Sequence, residues 1–283
     1  MENTRRKPEW LRIKLPNAND YSHLKQLLKS NNLHTICESG NCPNQGECWG
    51  NKTATFMILG NICTRSCQFC AVASGKPLPP DLNEPLKIAN AVKTLQLKHC
   101  VITSVDRDDL PDGGAEIWTR TINEIKNICP ETTIETLIPD FQFNKSSLDK
   151  IIEAKPDVVS HNLETVKRLT TIVRRKAIYE RSLNVLEYLG KAGITTKSGI
   201  MLGLGETENE IIETMDDLIK IGCKIMTIGQ YLQPTKEHLS VEKYIHPDTF
   251  KKYEIIGLEK GFKFVESGAL VRSSYHAEKH ITK

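Results

Sequence analysis

The chain has 283 residues, 39% of them apolar and 26% charged, with a formal net charge of +3. That length allows one large domain or two ordinary ones, and that balance suits a soluble globular enzyme. So small a charge does not by itself imply nucleic-acid or membrane binding. No apolar run reaches the roughly 18–20 residues needed to span a bilayer, and MENTRRKPEW at the start lacks the apolar core of a secretory signal. Arg5 and Arg6 would suit a transit peptide, whereas Glu2, Pro8 and Glu9 oppose one. A cytosolic protein is expected, with no membrane or nucleic-acid partner.

Residues 1–52 show little periodicity. A short helix is expected over Tyr21–Lys29, where Leu24, Leu27 and Leu28 share a face. The remainder is rich in Asn, Pro and Gly and reads as an extension of a neighbouring domain. It carries Cys37, Cys42 and Cys48, spaced C-x4-C-x5-C.

From residue 53 the pattern changes. ATFMIL (54–59) reads as a buried strand and is followed by Cys63, Cys67 and Cys70, spaced C-x3-C-x2-C. Further strands are predicted at 100–105, 133–138, 157–164, 196–202 and 224–232. Helices are predicted at 85–97, 114–128, 146–154, 177–191, 207–220 and 248–260. Alternation of this kind indicates βαβ units and a parallel α/β sheet. Six strand–helix pairs fall short of the eight of a complete barrel, so an incomplete (β/α)6 barrel is expected, with a doubly wound open sheet as the alternative. Either architecture puts ligand sites at the carboxyl ends of the strands, where the second cysteine set lies. The tail from 262, with FKFVESG and RSSYHAEKH, reads as a short closing element. The expected division is thus 1–52 extension, 53–261 barrel and 262–283 tail.

Six of the nine cysteines fall between Cys37 and Cys70. In a long chain without a signal, clustered cysteines at ligand spacings point to metal binding or catalysis rather than disulfides. Cys100, Cys129 and Cys223 lie outside the cluster and are read as small apolar residues. Thiolate sets suit zinc or iron–sulfur clusters. Structural zinc sites are closed by four protein ligands, commonly from C-x2-4-C pairs. Neither set has that form, whereas three thiolates on a four-iron cube leave one iron open to a small molecule. A basic run from Lys167 to Lys176 includes Arg168, Arg174 and Arg175. It is either a solvated basic face or a docking patch for an acidic protein.

The loop Cys63-Thr64-Arg65-Ser66-Cys67-Gln68-Phe69-Cys70 resembles the signature of the radical S-adenosylmethionine enzymes. The first cysteine set, together with RSSY at 272–275, narrows the resemblance to the lipoyl synthase family. KPEWLR (7–12), TSVDRDDLPDGG (103–114), LIPDF (137–141), HNLETV (161–166) and GIMLGLGE (199–206) extend it along most of the chain. The resemblance implies two 4Fe–4S clusters, a catalytic one on Cys63, Cys67 and Cys70 and an auxiliary one on Cys37, Cys42 and Cys48. A serine of RSSY would complete the auxiliary set, with Ser274 favoured over Ser273. S-adenosylmethionine, two molecules per product, would be cleaved to methionine and a 5′-deoxyadenosyl radical. Each radical would allow a sulfur atom from the auxiliary cluster to enter the sixth or eighth carbon of an octanoyl group on a carrier-protein lysine. The implied partners are octanoylated carrier domains (2-oxoacid dehydrogenase E2 subunits and the glycine cleavage H protein), a reduced ferredoxin or flavodoxin-type donor, and an iron–sulfur repair carrier.

Phe69, Asn162, Gly203, Gly205 and Glu206 are the candidates for binding S-adenosylmethionine. Thr207 and Glu210 also form a T-x-x-E capping box, which explains part of that segment as a helix start. His161 reads as a hydrogen-bonded core residue. The run Asp106-Arg107-Asp108-Asp109 either supplies a cofactor contact through Asp106 or pairs internally. Gly113-Gly114-Ala115 stands where many relatives in the superfamily carry Gly-Gly-Glu, so that cofactor contact does not carry over. Competing readings are a dicluster electron-transfer protein, a zinc-binding module and another radical enzyme with an accessory cluster. One geometric difficulty stands out: Cys48 precedes the first strand and Cys63 follows it, and six strand residues at about 3.3 Å each would part the sets by roughly 20 Å. The extension is therefore expected to fold back across the barrel, with the substrate chain between the clusters.

Overall fold

Each predicted strand–helix pair between residues 53 and 260 is present, in chain order. The computed structural model describes residues 7–12, 25–26, 28–40, 42, 44–45, 48 and 53–281. Of the helix expected over Tyr21–Lys29, residues 21–24 and 27 lie outside the described residues; Leu28 is buried. The strands are β1 (His34–Thr35), β2 (Thr53–Ile58), β3 (Ile62–Cys63), β4 (Ala73–Ser74), β5 (His99–Ser104), β6 (Thr133–Leu137), β7 (Val158–Ser160), β8 (Thr196–Leu202), β9 (Ile225–Gln230) and β10 (Phe264–Gly268).

Among the described residues the main sheet has eight strands in the order β1-β2-β5-β6-β7-β8-β9-β10. From β2 to β10 every neighbouring pair is parallel and the spatial order follows the chain. A doubly wound sheet reverses its order at a switch point; this one never does. Parallel strands in this order, joined by crossovers of the usual right hand, put the helices on one face, where successive helices pack together. Residues of β2, β5, β6, β8 and β9 line one cavity on the other face, as in an incomplete barrel. The edge strands β1 and β10 do not pair with each other, so the barrel stays open. The run FKFVESG, read from sequence as a closing element, is a seventh parallel strand.

Six helices link or follow the parallel strands: Glu84–Leu95, Ala115–Ile128, Lys145–Ala154, Tyr179–Lys191, Glu208–Lys220 and Pro247–Lys260. Each is amphipathic; Ala115–Ile128 buries Ile117, Trp118, Thr121, Ile122 and Ile125, one stripe at helical spacing. These stripes pack on the outward side chains of the strands, such as Cys100 and Ile102, or Ile200 and Leu202. The inward side chains alternate with them. At the amino ends of the strands the interior is filled by a charged layer. Lys197 Nζ meets both Glu135 oxygens at 2.9 and 3.0 Å, and buried His280 from the last turn of the chain approaches Lys197 at 3.3 Å. Toward the carboxyl ends the interior opens into a cavity.

Candidate active site: one cavity for both cysteine sets

Strand β2 ends in a turn at Leu59 and Gly60, both at positive φ. The buried Glu84 carboxylate accepts the Leu59 N–H at 2.8 Å. The second cysteine loop follows, closed at its base where β3 pairs with β4. It is held from several sides. Thr64 N–H donates to Asp106 O (3.0 Å), Gln68 N–H to Val173 O (2.8 Å), and Leu239 N–H to Gln68 O (3.2 Å). His238 Nε2 bonds the Cys70 carbonyl at 2.9 Å.

Inside the loop Arg65 is buried and donates through Nε and Nη2 to Asp108, both at 2.8 Å, and through Nη2 to Asp140 at 2.7 Å. Burial alone would lower the Arg65 pKa; Asp108, Asp106 and Asp140 outweigh it and raise it. The acidic run therefore shapes the loop: Asp108 holds Arg65, and Asp109 pairs with Arg107 at 2.8 Å. Asp106 also approaches Arg65, at 3.3 Å.

Burial pushes the Cys67 thiol up to about 12 and the Cys70 thiol up to about 11, with Cys63 adding repulsion to both. All three thiols of this loop line one cavity. A metal must displace their protons to bind. The Cys63 sulfur accepts the Arg65 and Asp106 N–H groups at 3.4 and 3.3 Å, donors suited to a thiolate.

The first cysteine set reaches the same space because of β1. This strand runs antiparallel on β2, with Thr35 opposite Phe56. The chain therefore enters the helical turn Ile36–Ser39 beside the middle of β2 rather than at its start. The Thr35 hydroxyl caps that turn by accepting the Glu38 N–H. Cys42 N–H donates to Cys37 O (3.0 Å) and Cys48 N–H to Asn44 O (2.9 Å). The Asn44 side chain then donates to the Leu270 carbonyl at 2.6 Å, tying this loop to the RSSY segment. On the other side of that segment lies Gly229 of β9, where any Cβ would clash with the Val271 carbonyl oxygen. Burial raises the Cys42 thiol pKa, and the Arg272 guanidinium opposes the rise.

The result is one cavity of about 450 Å³ lined by Cys37, Cys42, Cys63, Cys67, Cys70, Ser273 and Ser274. Cys48 packs at the edge of the apolar core and does not line the cavity. Among the described residues no three His, Cys, Asp or Glu side chains converge tightly enough for a single metal ion. A four-iron cube takes its thiolates at separate corners, so the donor set it needs is a spread one.

Phe69 and Asn162 also line the cavity, and the buried Asn162 Oδ1 has no hydrogen-bond partner among the described residues. That orphaned acceptor fits a cofactor with donor groups. Gly203, Gly205 and Glu206 do not line the cavity; Gly199, Ile200 and Met201 do. Gly203 sits at φ 102°, and the Glu206 carboxylate accepts the N–H groups of Gly203 and Leu204. These residues build the turn into the helix, where Thr207 and Glu210 form the capping box. His161 is buried between the Ile138 carbonyl and the Ser182 hydroxyl, both at 2.9 Å. Cys100 and Cys223 are buried away from the site.

Sequence reasoning missed four residues here. Arg174 and Glu164 line the cavity; Arg174 Nη1 is held by the Asn162 carbonyl at 2.9 Å. Glu164 stands at φ 65°, and burial raises its carboxyl pKa against Arg174. Asn44 and Arg272 join the two ends of the chain. Glu164 lies inside HNLETV and Arg272 inside RSSY, so both sat within motifs already singled out, whereas nothing in the sequence marked Asn44 or the inward turn of Arg174.

Both the sequence and the fold have known relatives. Residues 57–218 match the radical SAM superfamily, and residues 1–42 match the N-terminal domain of lipoyl synthase of the radical SAM family. Lipoyl synthase of Christiangramia forsetii is 60% identical over 276 residues, 97% of this chain and 94% of that protein. Mitochondrial lipoyl synthase of Nematostella vectensis is 62% identical, covering 97% and 95%. Among solved structures, Streptococcus suis SuiB bound to S-adenosylmethionine superposes with a TM-score of 0.63 at 14% identity, over 91% of this chain and 58% of that one. HydG, the FeFe-hydrogenase maturase of Carboxydothermus hydrogenoformans, gives 0.59 at 15%, over 93% and 78%. These two share the fold. Identity of 60–62% to lipoyl synthases over nearly the whole chain, with both family matches, shows that the chain belongs to the lipoyl synthase family of the radical S-adenosylmethionine superfamily.

Proposed function

We propose that the protein is a sulfurtransferase that inserts two sulfur atoms, at the sixth and eighth carbons, into an octanoyl group on a carrier-protein lysine. The observation that carries this reading is one cavity lined by Cys37 and Cys42 of the first set, all three cysteines of the second and the RSSY serines. In this reading Cys63, Cys67 and Cys70 hold the catalytic 4Fe–4S cluster. Cys37, Cys42, Cys48 and Ser274, with Ser273 as the alternative, hold the auxiliary one. A cluster held by Cys63, Cys67 and Cys70 would supply the electron for cleaving S-adenosylmethionine, and the resulting radical would remove hydrogen from an unactivated carbon, which no acid–base group can do.

The chain's own residues bind, orient and exclude. Phe69 and the unpartnered Asn162 Oδ1 offer an aromatic face and an acceptor to the cofactor. Leu137, Ile138, Val105 and Met201 give the cavity apolar wall for an alkyl chain. The auxiliary cluster is sulfur donor and therefore substrate. A serine oxygen is a harder and weaker partner for iron than thiolate, which suits a ligand that must let go as sulfide leaves. Residues 1–52 carry the donor cluster, 53–261 the radical chemistry, and 262–283 the serine.

The partners in this reading are octanoylated E2 and glycine cleavage H domains, a reduced ferredoxin or flavodoxin-type donor, and a carrier that rebuilds the auxiliary cluster. Thiolate-held clusters suit a reducing compartment such as the cytosol. No helix among the described residues is long and apolar enough to cross a membrane.

The test is anaerobic assay of the reconstituted protein with dithionite, S-adenosylmethionine and an octanoyl-lysyl peptide. Thiolated peptide together with 5′-deoxyadenosine is expected. Alanine at Cys37, Cys42 or Cys48 should abolish thiolation and leave cofactor cleavage, whereas alanine at Cys63, Cys67 or Cys70 should abolish both. Cleavage by the intact protein without thiolation would overturn the sulfur-insertion reading.

A further inference from the structure

The segment from Thr170 to Ile178 has two sides. Arg174 faces the cavity, while its neighbours Arg175 and Lys176 are exposed and take no part in the cavity wall. The segment lies directly against the second cysteine loop. Val173 O accepts the Gln68 N–H at 2.8 Å, and Lys176 Nζ donates to the Thr64 carbonyl at 3.2 Å.

The basic run from Lys167 does not behave as one solvated face. Its first charges are satisfied, Lys167 by Glu180 at 2.7 Å and Arg168 by Glu210 at 2.6 Å. Arg175 has no ion pair among the described residues, and Lys176 has only a distant one, 3.9 Å from Asp108. Asp108 is itself engaged by Arg65. Two other segments that brace the cysteine loop also end in exposed lysines. Lys76 follows Gly75, which bonds Cys63 O, and Lys236 precedes His238, which bonds Cys70 O. Among the exposed acids near these residues in the chain, Glu180 is taken up by Lys167, and Glu237 stands next to Lys236. Ile172 and Ile178, 54% and 51% exposed, add apolar surface next to Arg175 and Lys176. Exposed cations with no close ion pair, around exposed aliphatic residues, suit a partner that is acidic at its rim and apolar at its centre.

We propose that this face, centred on Arg175, Lys176, Ile172 and Ile178, docks an acidic flavodoxin-type protein that delivers electrons. The inference rests on the radical-enzyme reading above, because only that chemistry requires an electron at the second cysteine loop. One electron leaves the reduced flavin, which is oxidised by one electron. It ends on the sulfonium of S-adenosylmethionine, whose sulfur–C5′ bond breaks to give methionine and the 5′-deoxyadenosyl radical. Electron tunnelling weakens steeply with distance, and here the partner meets a segment hydrogen-bonded to the loop itself. An octanoyl chain arriving at this face would have to cross the cysteine loop to reach the cavity, whereas an electron needs no opening.

The test compares reductants on reconstituted protein, unsubstituted and with Arg175→Glu plus Lys176→Glu. With reduced flavodoxin as donor, 5′-deoxyadenosine formation at subsaturating donor should fall at least about tenfold and lose its salt dependence. With dithionite it should stay within about twofold of the unsubstituted rate. The Arg175→Lys plus Lys176→Arg protein should retain flavodoxin-driven activity. Equal losses with both reductants would overturn the proposal in favour of damage to the loop. So would undiminished flavodoxin-driven turnover. A loss seen only with an octanoylated carrier domain, and not with the octanoyl-lysyl peptide, would assign the face to the substrate protein instead. Failure of the unsubstituted protein to cleave S-adenosylmethionine with dithionite would overturn the radical-enzyme reading, and the docking proposal with it.

Discussion

The Asn44 side-chain amide donates to the Leu270 carbonyl at 2.6 Å, joining residues 226 positions apart. Asn44 lies between two cysteines of the first set, and Leu270 lies just before RSSY. The bond therefore fixes the distance between thiols from one end of the chain and hydroxyls from the other. A neutral hydrogen bond contributes about 0.5–1.5 kcal/mol, too little to decide the fold. Asn44→Ala should leave S-adenosylmethionine cleavage unchanged and lower sulfur insertion about three- to tenfold. The ratio of thiolated peptide to 5′-deoxyadenosine measures this directly, and an unchanged ratio would remove Asn44 from the site.

Gly229 makes the complementary case from the sheet side. A methyl group there would meet the Val271 carbonyl oxygen, and the backbone of a strand paired on both sides cannot recede. The RSSY segment must move instead. Gly229→Ala should keep the secondary structure and lose the auxiliary cluster, so iron after reconstitution should fall from about eight towards about four per chain. Full loading would mean that the tail has slack the geometry does not suggest.

The fold was readable because its signals are local. Alternating apolar runs and helical stripes located six strand–helix units to within one or two residues at most boundaries, and 196–202 matches β8 at both ends. The fourth run, 157–164, is shorter as a strand because Glu164 turns out of line at φ 65° and only rejoins as an isolated bridge to Ile200. The thiol sets were readable from spacing. What joins them was not. A two-residue strand, one asparagine and one glycine bring the first set to the cavity, and none of these is marked by periodicity or motif. Gly203, Gly205 and Glu206 show the converse. Their pattern resembles a nucleotide loop, yet positive φ and a self-capping carboxylate account for it locally.

Lys197 and Glu135 form a fully buried pair beneath the cavity, with Ser160 donating to Glu135 at 2.7 Å. Their partner His280 comes from the turn that follows RSSY. Removing one member of a buried pair leaves an uncompensated charge at a cost of about 3–5 kcal/mol, whereas replacing both can be neutral. Lys197→Met should therefore lower the melting temperature by at least about 6 °C. Adding Glu135→Leu should restore most of the loss. Thermal melting of the reconstituted proteins decides between coupling and independent damage, since additive losses would show that the pair is not a unit.

Glu84 offers a pH-dependent check on the turn that leads into the second cysteine loop. Burial raises its carboxyl pKa to about 7, despite the Leu59 and Gly60 N–H groups that favour the charged form. The ordinary value is about 4.3, so the folded chain takes up a proton that the unfolded chain has released. A raised carboxyl pKa means that this residue's share of stability is complete below about pH 4 and is lost as pH rises through about 7. Above that range a buried charged carboxylate sits under the β2 turn, and the lysine that attracts it, Lys87, is paired with Asp81 at 2.8 Å. Glu84→Gln keeps an amide oxygen to accept the Leu59 N–H and cannot ionise. The variant should melt no lower than the unsubstituted protein at pH 5 and higher at pH 8, with a flatter profile between. Parallel profiles for the two proteins would show that Glu84 keeps an ordinary pKa and that solvent reaches the turn.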